Sequence, residues 1–325
     1  MSRKTILPNV HFDDNLAAEI LEKAMRGGKD DKERGVMLLL TANNAQRQMI
    51  RTPYKVRYGK DLEEELKKNL KGDLEGVIVS LMNTPTKEDV VQLHKAVKGL
   101  GTNEKLLTEI LVSRTNEELE AIRNTYFMNY NKRLEDAITA DTSGDFKKLL
   151  VVLLQGHRDN SIMTDTMKAH KDAEHLAKPI EKKLLGGGGD KLEKYRVLAT
   201  DSFHQLQRVF DEFQRKTGGT LDKMIEKELS GDMQNAVLSL YKIASLGHAR
   251  YFADLIYEAV KGRGTKDEDL IRVLVSRSEI DLENIKEVYQ SVYGKSLVNV
   301  IKEECKGAYQ EALLALVRGN KSFSQ

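Results

Sequence analysis

The stretch VKGLGTNEKLLTEILVSRT at 97–115 returns almost letter for letter at 260–278 as VKGRGTKDEDLIRVLVSRS. A glycine-rich loop, a helix-like run and a Ser-Arg pair written twice mean that one supersecondary unit has been copied along the chain, and this constrains the fold more than any other feature. Two weaker copies enter at MRGGKDDKERGVMLLLTANN and LLGGGGDKLEKYRVLATDS. The first glycines of the four loops are Gly27, Gly99, Gly186 and Gly262, and a later marker closes each copy at Gly72, Gly144, Gly231 and Gly307. Both series are spaced by 72, 87 and 76 residues. The internal distance of a copy is therefore fixed while its connectors vary, as a geometric relation between the two markers requires.

Within each copy the apolar residues keep helical period, as at Leu107, Ile110 and Leu111, and each copy has room for four or five short helices. Four prolines and no tryptophan leave long uninterrupted helical stretches. The chain reads as all-α. The single Cys305 cannot form an internal disulfide, and the first residues lack the apolar core of a signal peptide, which points to the cytoplasm. No apolar run is long enough to span a membrane. Fifty-two basic against 50 acidic residues, with no basic block, argue against nucleic acid as a partner and against membrane binding by net charge alone.

Three residues before each second marker stand Asn69, Asp141, Glu228 and Glu304, each 42 positions after its loop glycine. Alternate glycines let a loop turn its carbonyl oxygens to one point, and a distant carboxylate would complete a hard-cation site of calcium type, with positions left for a lipid phosphate oxygen. In one copy alone, helix caps and turns account for the same residues. The 42-residue offset, held by a carboxylate in three copies, favours the ion site. The loops lack the Walker and Rossmann glycine patterns, and no catalytic Ser/His/Asp, Cys/His or metal-hydrolase spacing appears, so the chain is not read as an enzyme.

From about residue 13 to 317 these features closely resemble the annexin family: the KGxGT loops, SRxxxxL, the distant acid and SRSEIDL. The resemblance implies four repeats of about five helices forming a slightly curved disc, with Ca2+ loops on its convex face that bind acidic phospholipid membranes. The repeats are placed at 13–84, 85–156, 169–244 and 245–320, after a short tail at 1–12. Carried over by position, the carbonyls of Val97, Gly99 and Gly101 with Asp141 form the second-repeat metal site, and Val260, Gly262 and Gly264 with Glu304 the fourth. Leu184, Gly186 and Gly188 with Glu228 match in the third, whose run of four glycines is expected to be mobile and to lose affinity on ordering. Lys98, Thr102, Lys261, Arg263 and Thr265 are candidates for lipid contact. Asp89, Glu109, Arg114 and Arg272 match positions lining a central hydrophilic channel in the family, although buried charges between modules normally pair for structural reasons.

The first repeat is expected to have lost this site, because Lys29 replaces the second loop glycine and Asn69 the acid. The resulting reading is a non-enzymatic protein, peripheral on membranes when calcium rises. The alternative is a helical repeat scaffold that binds proteins independently of calcium. The resemblance also allows self-association on membranes, and leaves any partner of the N-terminal tail open. Ser2 and Thr5, beside Arg3 and Lys4, are candidate phosphorylation positions. Cys305 beside Glu304 is either a redox-sensitive neighbour of the fourth site or a small packing residue.

Overall fold

A computed structural model of the chain describes residues 2–99, 101–180 and 191–320. Among the described residues the regular structure is entirely helical, in 21 helices. They fall into two compact units, Met1–Pro85 with Ala249–Gln325, and Thr86–His248.

The first unit holds the first and fourth repeats. The first runs through Asp14–Arg26, Lys29–Thr41, Asn44–Tyr58, Leu62–Asn69 and Gly72–Met82. The fourth runs through His248–Val260, Asp267–Ser278, Leu282–Tyr293, Leu297–Glu304 and Gly307–Arg318. Leu81 and Ile78 of the first repeat and Leu274 and Leu314 of the fourth are fully buried here. Removing each such side chain from water contributes about 1.5–3 kcal/mol. The N-terminal tail belongs to this core. Thr5 and Ile6 both donate their backbone N–H to the Ser278 carbonyl, and Asn320 donates to the Thr5 and Leu7 carbonyls.

The second unit holds the second and third repeats. The second comprises Pro85–Val97, Glu104–Ser113, Asn116–Tyr130, Leu134–Asp141 and Gly144–Leu154. The third differs: Thr166–Ala177, then two short pieces Lys191–Tyr195 and Val197–Thr200, then Phe203–Thr217, Leu221–Glu228 and Gly231–Leu246. Its first helix stops at Ala177 because Lys178, in extended conformation at ψ 137°, precedes Pro179. A residue before proline is pushed out of the helical region by the ring.

Local chemistry sets the element boundaries. Asn43 with Gln46, and Thr115 with Glu118, form reciprocal capping boxes at the third helix of their repeats. The second-marker glycines all open the last helix of a repeat at left-handed φ, 62° at Gly72, 61° at Gly144, 60° at Gly231 and 63° at Gly307. A Cβ is disfavoured in that conformation, which explains why the marker recurs. No described helix is long and apolar enough to cross a membrane.

Candidate metal sites at the glycine loops

In the second repeat the first helix ends at Val97 and the next begins at Glu104; in the fourth the corresponding residues are Val260 and Asp267. Both intervening loops are closed at the base by the same backbone bond, Asn103 N–H to the Ala96 carbonyl at 2.9 Å and Lys266 N–H to the Ala259 carbonyl at 2.8 Å. Their paired glycines share positive φ: 156° and 94° at Gly99 and Gly101, 102° and 85° at Gly262 and Gly264. Side chains at these positions would strain the loop whatever the space around it.

The distant acids end the fourth helix of each repeat. Thr102 Oγ1 donates to the backbone carbonyl of Asp141 at 2.9 Å, which joins loop and acid in the second repeat. In the fourth, the Tyr289 hydroxyl is pushed up to about 12, first by burial and then by Tyr257 and the nearby Glu304 carboxylate. Asp141 and Glu304 are exposed, and among the described residues neither carboxylate is held in an ion pair. Aromatic pairs lie behind each loop: His94 stacks on Tyr130 at 3.7 Å between centroids, and Tyr257 on Tyr293 at 4.1 Å. Loop carbonyls with an exposed carboxylate are oxygen donors of the kind that suits a hard divalent cation such as calcium, and among the described residues no group of three or more His, Cys, Asp or Glu side chains could hold a softer metal.

The candidate lipid-contacting residues differ among themselves. Lys98 and Arg263 are exposed, whereas Lys261 pairs with Glu258 on the surface and Thr265 is only half-exposed.

In the third repeat, Leu184, Gly186 and Gly188 lie outside the described residues, as does the four-glycine run expected to be mobile. Its acid is described, and it is engaged. Glu228 Oε2 accepts from Lys194 Nζ at 2.5 Å and from the Tyr195 hydroxyl at 2.7 Å. Sequence reading missed both donors. The signal was present: Lys194 stands where the second and fourth repeats place the fully buried Leu107 and Leu270, eight residues after the loop glycine.

The first repeat builds no comparable loop. Only Gly27 and Gly28 separate its first two helices, at ordinary φ of −87° and −76°, and Lys29 is already helical. Asn69 donates its side-chain amide back to the Glu65 carbonyl at 2.9 Å.

Of the residues matched to a channel, three have charged partners that satisfy them in part or in whole. Arg114 grips Asp89 with two bonds at 2.7 and 2.8 Å, and Arg272 pairs with Asp269 at 2.8 Å. Thr5 is 1% exposed with its hydroxyl donating to the Ser278 carbonyl, which removes it from reach of a kinase. Cys305 is buried and packs in the core.

The annexin family model matches four segments, 16–81, 88–153, 172–240 and 251–316. Chicken annexin A5 is 42% identical over 319 residues, covering 98% of both chains. Human annexin A11 is 41% identical over 98% of this chain, which spans 62% of that longer protein. The solved structure of a calcium-bound annexin, annexin (Sm)1, superimposes with a TM-score of 0.84 at 29% identity, covering 97% of this chain and 93% of the other.

Proposed function

This chain belongs to the annexin family, and from that premise we propose that it is a binding protein, not an enzyme, which attaches to acidic phospholipid surfaces when calcium is available. The observation that carries the reading is the matched pair of loops. Gly99 with Gly101 and Gly262 with Gly264 share left-handed geometry and base closure, and an exposed acid follows each first glycine 42 residues on in sequence. The carbonyls of Val97, Gly99 and Gly101 with Asp141, and of Val260, Gly262 and Gly264 with Glu304, would hold the ion. When bound, calcium supplies a positive centre for a lipid phosphate oxygen at coordination positions the protein does not fill.

One carboxylate per ion makes each site weak in solution, and lipid strengthens it because the coupling between two ligands is reciprocal. Lys98 and Arg263 add attraction of about 1 kcal/mol each near an anionic surface. At low calcium the protein is free in the cytoplasm, and it becomes peripheral on membranes as calcium rises.

Sedimentation with phosphatidylserine vesicles over a calcium titration tests the proposal. Asp141→Asn and Glu304→Gln keep shape but remove charge, so each is expected to raise the calcium midpoint, and the double variant to raise it about tenfold or more. Unchanged midpoints in all three would remove these carboxylates from the mechanism, and binding without calcium would favour a calcium-independent scaffold instead.

A further inference from the structure

The third repeat carries a cation of its own. Lys194 is 5% exposed, and its ammonium donates to Glu228 Oε2 at 2.5 Å and to the Lys178 carbonyl at 2.7 Å, with Met224 Sδ at 3.5 Å. Tyr195 adds a second donor to the same carboxylate oxygen. A buried lysine is costly unless paired and hydrogen-bonded, and these partners meet both needs. The second and fourth repeats place Leu107 and Leu270 at this position and leave Asp141 and Glu304 exposed and outside any ion pair among the described residues, with Lys295 acting on Glu304 only at longer range. The Lys178 carbonyl reached by the ammonium lies just beyond the helix that Pro179 cuts short.

We propose that Lys194 is a built-in competitor of calcium at Glu228, so that the third repeat is a latched site, answering only at calcium concentrations higher than those that serve the second and fourth. The inference rests on the reading above that this acid is an ion ligand. Glu228 spends its charge on the ammonium and one oxygen on two donors. A divalent ion engaging it must break both bonds, or else share the carboxylate with a positive charge held within hydrogen-bond distance of it. Lys194 in turn must find water or another acceptor. The second and fourth acids have no such step to undergo, which grades the response of one chain across calcium concentration.

The test isolates the third repeat in the full-length Asp141→Asn/Glu304→Gln chain and measures calcium binding by calorimetry. If that double variant keeps all the calcium heat of the parent, the two-site reading itself fails. Given loss of that heat, Lys194→Met in the same background is expected to tighten the remaining calcium affinity about tenfold, since a charge-assisted bond is removed from the competing state. Lys194→Arg, which keeps the cation, is expected to stay weak. A second readout is melting: without calcium Lys194→Met melts below its parent because Glu228 has lost its partner, and calcium closes the gap. Tyr195→Phe, the milder change, is expected to tighten binding a few-fold and keeps the test open if the methionine variant does not fold. Unchanged third-site affinity in the lysine and tyrosine variants that fold overturns the latch while leaving the second and fourth sites intact.

Discussion

The Thr102 hydroxyl donates to the backbone carbonyl of Asp141 at 2.9 Å, so a single side chain couples the second-repeat loop to the helix end that carries its acid. Among the described residues Thr265 makes no matching bond to Glu304. Thr102→Val is therefore expected to weaken calcium at the second site alone. A net hydrogen bond of about 1 kcal/mol corresponds to roughly fivefold in affinity. Calorimetry in a Glu304→Gln background reads this directly, and an equal loss from Thr265→Val in the converse background would argue against the coupling.

Arg114 and Asp89 form a bidentate pair in which the arginine side chain is 6% exposed and the aspartate 12%. Arg114→Met leaves a carboxylate almost without water or partner and is expected to cost about 3–5 kcal/mol in urea unfolding. Arg114→Met with Asp89→Leu should cost much less, because no charge is stranded. Calcium affinity is expected to be the same in the folded variants. A stable single mutant would show that the pair does not hold the fold.

Gly319 lies at φ 77°, and a Cβ there would stand 2.3 Å from the Thr5 carbonyl oxygen. That oxygen also accepts from Asn320 N–H, so the contact that locks the tail is the one a side chain would break. Gly319→Ala is expected to cost about 1–3 kcal/mol and, by loosening the tail that carries the already exposed Arg3 and Lys4, to speed trypsin cleavage there. Proteolysis at wild-type rate would mean that the tail is held elsewhere.

Burial first, then the nearby Asp267 carboxylate, raise the Cys305 thiol from 9.0 to about 11. The folded protein keeps this proton where the unfolded chain releases it. Stability therefore falls as pH rises from about 9 toward 11, and the Cys305→Ala variant should lose less over that window. At pH 8 the native thiol is expected to resist labelling by a disulfide reagent and to react at once in urea. Rapid native labelling would restore the case for a redox role beside Glu304.

Lys29→Gly with Asn69→Glu restores the residue types of a first-repeat site, yet the gain in calcium heat is expected to be small. Lys29 is the first residue of a helix, whereas in the second and fourth repeats the next helix begins only at Glu104 and Asp267. Unwinding that turn costs backbone hydrogen bonds that two substitutions do not replace. A new site as tight as the second would show that the loop adapts freely.

The sequence alone determined the repeat, its helical class and the pairing of loop glycines with an acid 42 residues away. Those features depend on backbone geometry and residue spacing, which every copy must satisfy locally. Pro179 and the lysine at an otherwise apolar position were also written there, but their consequence was not. Only the tertiary structure decided that Lys194 meets Glu228 and Lys178, that Arg114 meets Asp89, and that Thr5 is sealed against Ser278 and Asn320. Such contacts join helices at angles and distances that no single-helix period encodes. A buried charge finds its partner across the packed core, where the cost of leaving water, not the local sequence, dictates which groups must meet.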